Sequence, residues 1–205
     1  ETRVYNGTTL TNGEIINTPV ALGQRVEADG DLPEITNVGT VENRYLIKIT
    51  DGTADFTHNY EITYKYGTLE VTPAAVQVTL NPVTVTYNGN VIRIAATDAI
   101  ATVSNGLIGK DDFEVVYNRA VKNVDVYNYT VKISSEETAR NFILTAGTGV
   151  ITVEKSALQI TLGNLTQKYS GTAKTADTQG MTILGDNPDG LTAADFKVVC
   201  NAEMK

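Results

Sequence analysis

One histidine and one cysteine stand among the 205 residues, and these two counts restrict the chemistry open to the chain. His58 by itself completes neither a Ser-His-Asp relay nor an ordinary zinc site. It lies in a polar loop and reads as a solvated residue. Cys200 has no second thiol in the chain to pair with, so no internal disulfide staples the fold. Calcium would want oxygen ligands, and Asp29-Gly30-Asp31, Asp51 with Asp55, Asp111-Asp112 and Asp186-Asn187-Pro188-Asp189-Gly190 offer them. None has EF-hand spacing, and Asp and Gly are also the residues that tight turns require. A Lys-Asn isopeptide cross-link is the last candidate, from Lys48 with Asn59 or Lys132 with Asn141. That reaction needs a buried lysine beside an acid, whereas strand alternation with Tyr45, Ile47 and Ile49 facing inward turns Lys48 to water. The reading is therefore a non-enzymatic chain without metal or cofactor, whose ligand-binding residues stay unassigned.

Carbohydrate binding leans on exposed aromatic faces. The chain has no tryptophan, four phenylalanines and ten tyrosines, most of the tyrosines at core-facing positions of expected strands. Tyr5, Tyr87 and Tyr169 form a regular series, read as strand-end core residues, with a row of ligand-stacking rings as the alternative. The excess of 24 acidic over 16 basic residues gives a net charge of −8, which opposes nucleic-acid or anionic-membrane binding. No apolar run is long enough to span a membrane. The chain opens at Glu1 with neither methionine nor signal peptide and reads as an excised part of something longer.

The elements that would position any site come from an internal repeat. Gly67 to Leu80, GTLEVTPAAVQVTL, returns as Gly149 to Leu162, GVITVEKSALQITL, and Tyr5-Asn6-Gly7 returns as Tyr87-Asn88-Gly89 and Tyr169-Ser170-Gly171 in the same frame. A unit as long as the interval from Gly67 to Gly149 can bury its own core, so tandem domains are expected: residues 1–73 lacking a first strand, 74–155 complete, and 156–205 the first half of a third. Asn88-Gly89 between Val83–Tyr87 and Val91–Ile94 predicts a type I′ hairpin. Alternation predicts strands at Tyr45–Ile49 and Tyr129–Ile133, then at Asn59–Ile62 and Asn141–Leu144. One helical turn running into a strand is expected in Gly106–Tyr117 and Gly190–Cys200, with Thr192 and Asp195 as a capping pair, and another turn at Ser135–Thr138. Short strands between frequent Gly and Asn turns point to an all-β sandwich in each unit.

The order Tyr-Asn-Gly, Asn37-Val38-Gly39, Tyr45-Leu46-Ile47-Lys48-Ile49, Asn59-Tyr60-Glu61-Ile62-Thr63 and Gly67-Thr68-Leu69-Glu70-Val71-Thr72 resembles the MBG and YDG type repeats of bacterial surface adhesins. The second unit departs from that pattern with Asn123-Val124-Asp125 and with Phe142 in place of tyrosine. The resemblance implies tandem immunoglobulin-like β-sandwich repeats of about 82 residues, each long enough for a core of its own. It also implies an extracellular protein of the bacterial cell surface or cell wall, secreted and acting in cell adhesion as stalk or adhesive array. A carbohydrate- or mucin-binding module, or an accessory region of a secreted polysaccharide-degrading enzyme, is the alternative. Partners would be a glycan or protein met through the parent molecule, and strand exchange between the truncated end units is a further expectation. The family assigns no catalytic residues.

Overall fold

The computed structural model describes residues 1–164, 168, 171, 178 and 180–199. Its elements in chain order are β1 (Thr2–Val4), β2 (Leu10–Thr11), β3 (Arg25–Asp29), β4 (Glu34–Ile35), β5 (Gly39–Asn43), β6 (Leu46–Thr50), a 3-10 turn (Thr57–Asn59), β7 (Gly67–Thr72) and β8 (Ala74–Leu80). There follow β9 (Val83–Thr86), α1 (Ala96–Ala99), β10 (Ile100–Val103), a 3-10 turn (Lys110–Asp112), β11 (Phe113–Tyr117), β12 (Asp125–Ile133), α2 (Glu136–Ala139), β13 (Phe142–Ala146) and β14 (Gly149–Glu154). The last are β15 (Leu158–Thr161), β16 (Thr182–Gly185) and a 3-10 turn (Ala193–Asp195). The fold is all-β, with helix confined to single turns.

Two compact units divide the chain. The first takes Glu1–Thr79, Ile100–Glu114 and Val131–Gly147; the second takes Leu80–Ala99, Val115–Thr130 and the chain from Thr148 onward. In the first unit, β1 runs parallel to β7 with Thr2 opposite Glu70, and β5 runs antiparallel to β7 with Asn43 opposite Gly67. Short pairs β2–β4 and β3–β6 complete this part, and a further sheet has the order β10-β8-β13. Leu10, Leu69 and Val71 form a buried cluster around β7, with Tyr5, Ile35, Val38 and Val41 packed around them. Asn141, buried and polar, is fully engaged there: its Oδ1 accepts from the Val38 N–H at 2.8 Å and its Nδ2 donates to Asn37 Oδ1 at 3.0 Å.

The second unit repeats the junction pairing. β9 runs parallel to β14 with Thr84 opposite Thr152, and β12 runs antiparallel to β14 with Tyr129 opposite Gly149. Its core gathers Ile92, Ala99, Val121, Tyr127, Tyr129 and Ile151 with Val153. The Tyr129 phenol reaches the carbonyls of Asn81 and Ala99 at 2.5 and 2.8 Å, so a large aromatic with a polar tip is buried without stranding its hydroxyl. Burial also pushes that phenol's pKa up.

Several expected elements differ. Val83–Thr86 does not fold back on Val91–Ile94; it pairs with β14, and residues 91–95 carry no strand. The Asn-Gly turn is not type I′ either, because Gly89 has φ +76° while, among the described residues, no non-glycine has positive φ. Asn88 instead accepts the Asn90 N–H on its side chain at 3.0 Å, as Asn6 does from Thr8, which is the local Asx bond such residues favour. The strand expected at Asn59–Ile62 is absent: Asn59 ends a 3-10 turn and residues 60–66 are irregular. After the 3-10 turn at Ala193–Asp195, residues 196–199 form no strand, although Thr192 N–H does meet Asp195 Oδ2 at 2.8 Å as the capping pair requires. Tyr169, Ser170 and Cys200 lie outside the described residues. The turn at Ser135 is present, with its Oγ accepting from Thr138 N–H at 3.3 Å.

Candidate functional site

Asp51, Asp55 and Asp112 among the acidic candidates are bonded to nearby backbone. Asp51 Oδ1 accepts the Thr53 and Ala54 N–H groups at 2.8 and 2.9 Å, and Asp55 Oδ1 accepts Thr57 N–H at 2.8 Å. The Ala54 and Thr53 N–H groups hold the Asp51 carboxyl below its usual range, and the Thr57 hydroxyl and then the Thr57 N–H do the same for Asp55. Asp112 Oδ2 accepts Gly109 N–H at 2.7 Å, and Asp189 accepts the Tyr87 phenol, which raises that phenol's pKa. Among the described residues no group of three or more His, Cys, Asp or Glu is placed to hold a metal ion. His58 is exposed in the 3-10 turn.

The isopeptide candidates are likewise set apart from that chemistry. Lys132 stands exposed beside Glu114 at 3.1 Å and Lys48 beside Glu27 at 3.8 Å. Asn141 is buried, with both amide atoms bonded as above, and Asn59 is exposed. Tyr5 and Tyr87 pack partly buried against the two cores, and Tyr5 meets Phe142 edge-on at 5.5 Å. A residue of the following repeat comes near each glycine of the turns: a Cβ on Gly7 would lie 3.7 Å from Leu107, and one on Gly89 2.8 Å from the Pro188 carbonyl. Asn6 and Asn88 themselves are exposed.

The concave site that does exist was not visible as a motif. It is a cleft of about 430 Å³ in the first unit, walled by residues 14–20 on one side and 60–67 on the other. Val26, Tyr45, Ile47 and Ile49 from β3 to β6, with Asn43, complete its lining. Tyr45 and Tyr60 are anchored, the first donating to the Glu14 carbonyl at 3.1 Å and the second to Gln24 Oε1 at 2.7 Å. Tyr64 and Tyr66 stack with centroids 5.5 Å apart and planes 18° off parallel, and Arg44 lies over Tyr66 at 5.3 Å. Asn43 donates to the Asn12 carbonyl at 2.9 Å, but its Oδ1 is buried and, among the described residues, has no partner.

No family model, no curated protein and no solved structure matches the chain. What the cleft can do is therefore argued from its own geometry. It offers apolar and aromatic surface, one orphaned acceptor, and two walls of backbone without a sheet partner. It has the size of a ligand site, and Glu14, Glu61 and Lys65 are the charged residues of its lining. A signal for it lay in the repeat frame, since the walls correspond, one repeat further along the chain, to α1 with β10 and to β13.

Proposed function

We propose that this chain is a non-catalytic repeat region of a bacterial surface protein, built from immunoglobulin-like β-sandwich repeats and acting as a load-bearing stalk or adhesive array outside the cell. The observation that carries this reading is the parallel pairing of an early strand with the closing strand, made twice: β1 with β7, and β9 with β14. Pulling the two ends of such a repeat drives the paired strands past each other, so all the ladder bonds are loaded together instead of opening one at a time. The seams add to it, since only Pro73 separates β7 from β8 and residues 155–157 separate β14 from β15.

Force spectroscopy on the full chain tests the reading. One repeat should unfold as a single cooperative event releasing roughly 290 Å of chain, at about 3.5 Å for each residue of the repeat. Thr152→Pro, in the middle of β14, should lower the unfolding force strongly by deleting a ladder donor. Gradual extension without discrete events would sink the mechanical role. A carbohydrate-binding module is the second reading, favoured by the stacked Tyr64 and Tyr66 at the cleft; a glycan array with Tyr64→Ala as control decides it.

A further inference from the structure

Four asparagines of the chain precede a glycine: Asn6, Asn12, Asn88 and Asn105. In each, the side-chain Oδ1 accepts the N–H of the residue after that glycine, from Thr8 at 3.0 Å, Glu14 at 2.7 Å, Asn90 at 3.0 Å and Leu107 at 3.0 Å. Such a bond closes a small ring that contains both the carboxamide carbon Cγ and the backbone nitrogen of the glycine. These are an electrophile and a nucleophile, and glycine has no Cβ to keep them apart. All four turns therefore share one reaction, and their surroundings decide which of them performs it.

The first Tyr-Asn-Gly turn differs from its counterpart in two residues. Thr8 stands where the second repeat has Asn90, and Arg3 stands where it has Val85. The Thr8 hydroxyl donates to Asn6 Oδ1 at 2.8 Å in addition to the Thr8 N–H, so that oxygen takes two donors where Asn88 Oδ1 takes one. Arg3 on β1 donates from Nη2 to the Thr8 carbonyl and from Nη1 to the Thr9 carbonyl at 3.4 Å, which anchors Thr8 and with it both donors. Asn6, Gly7 and Thr8 are all exposed, so water reaches the turn. Asn105 is the opposite case. Its Nδ2 donates to the Ala75 carbonyl at 3.2 Å while its Oδ1 is bonded as above, so both ends of that amide are held.

We infer that Asn6-Gly7-Thr8 is a self-modifying turn, which converts its asparagine to aspartate and isoaspartate with Thr8 as the catalytic residue. The Gly7 nitrogen gives its proton to a solvent base and attacks Asn6 Cγ, forming a new C–N bond. The negative charge that develops on Oδ1 meets the Thr8 N–H and hydroxyl, which act as a small oxyanion hole. Nδ2 then takes a proton and leaves as ammonia, and a cyclic imide remains. Water opens the imide: breaking the new Cγ–N bond gives aspartate, and breaking the original peptide C–N bond gives isoaspartate, with the main chain running through Cβ. The product carries a carboxylate where an amide stood. Its longer backbone directly follows Tyr5, whose N–H makes a bond to the Thr72 carbonyl at 2.8 Å beyond the end of the β1–β7 ladder, so that pairing is what the modification alters. This inference stands apart from the adhesin reading, since the chemistry belongs to the turn in any parent protein.

The test uses the full chain, held folded in warm, mildly alkaline buffer and sampled over time. Peptide mass spectrometry reads the conversion of amide to acid at each Asn-Gly, and enzymatic carboxyl methylation scores isoaspartate. Asn6 should convert fastest and Asn105 slowest. Thr8→Val keeps the N–H and the shape but removes the hydroxyl, and should slow Asn6 about tenfold, the effect of one hydrogen bond, with the other three sites as internal clocks. Asn90→Thr supplies a hydroxyl to the second repeat and should speed Asn88 severalfold. In guanidinium chloride the four rates should draw together and the effect of Thr8→Val should vanish, which separates a device of the fold from the bare dipeptide. An Asn6 no faster than Asn88 in the folded chain, an unchanged Asn6 rate in Thr8→Val, or the same ranking in denaturant overturns the inference. If circular dichroism shows that Thr8→Val has lost its fold, Asn90→Thr decides alone, and an unchanged Asn88 rate there overturns it. The mechanical reading fails on different evidence, the force trace.

Discussion

Gly67 and Gly149 occupy the same place in the repeat, each in the last pair of its ladder with the neighbouring antiparallel strand, yet they are different sites. Opposite Gly149 stands Tyr129, whose ring is so close that a Cβ on the glycine would overlap its Cζ. Opposite Gly67 stands Asn43, and a Cβ there would meet nothing within 4 Å. The larger residue brings a longer strand with it: β12 runs unbroken from Asp125 to Ile133, while its counterpart is interrupted between β5 and β6, where Arg44 N–H turns back to the Glu42 carbonyl at 2.9 Å. The second repeat closes over an aromatic; the first ends in an amide with an orphaned oxygen at the cleft. One backbone plan therefore yields a packed site in one copy and an open one in the other.

The sharpest way to break this comparison is a matched pair of alanines. Gly149→Ala should destabilise by about 3 kcal/mol, since the Tyr129 ring is buried and cannot withdraw. Gly67→Ala should be neutral or gain a few tenths, because no neighbour objects and the unfolded chain loses freedom. Urea midpoints of the two variants decide the matter. Equal losses would mean that the two glycines share a backbone role and that the tyrosine is incidental.

A smaller effect separates the facing residues. Tyr129→Phe removes the hydroxyl that reaches the Asn81 and Ala99 carbonyls, and leaving buried acceptors bare should cost about 1 to 2 kcal/mol. Asn43→Ala deletes one bond to the Asn12 carbonyl but also one unpartnered buried oxygen, so its cost should stay below about 1 kcal/mol. If Asn43→Ala proves the costlier, the cleft floor is better organised than its orphaned acceptor suggests.

Reading the residues reached the repeat and its junction, since the apolar alternation through Leu69, Val71, Val76 and Val78 survives from one copy to the next and all four are buried. It reached the local turns at Lys110–Asp112 and Ser135, where a few neighbouring residues settle the conformation. It failed at Asn59–Ile62 and at Val91–Ile94, both of which have the pattern of strands, because a strand exists only where another backbone lies beside it. The first has no strand paired beside it among the described residues, and for the second the partner of Val83–Thr86 is β14, far downstream in the chain, with Ile151 opposite Val83. Alternation reports which face would be buried and says nothing of which strand will be the neighbour. The cleft escaped notice because its lining comes from residues scattered between positions 14 and 67, and no residue type marks it.

The smallest expected effect contrasts the repeats by their acids. Asp125 is held below the ordinary carboxylate range mainly by the Arg119 guanidinium at 2.7 Å, with help from the Val126 N–H. Asp51 is lowered mainly by the backbone N–H groups of Ala54 and Thr53. For each, the folded pKa lies below the unfolded value of about 3.9, so the carboxylate's contribution is present above that pH and is lost as the pH falls through the folded value. Both groups are solvent-exposed, which keeps the effects small. Salt separates them, because screening weakens the ion pair far more than it weakens backbone bonds at contact distance. Stability should therefore be followed by urea unfolding from pH 5 downward, at low and at high salt. Asp125→Asn should flatten the acid-side decline and also reduce the salt dependence of stability above pH 4. Asp51→Asn should flatten the decline and leave the salt dependence as it was. If both variants respond to salt alike, the carboxylate of the first repeat is held by charge after all, and the backbone explanation of its lowered pKa is wrong.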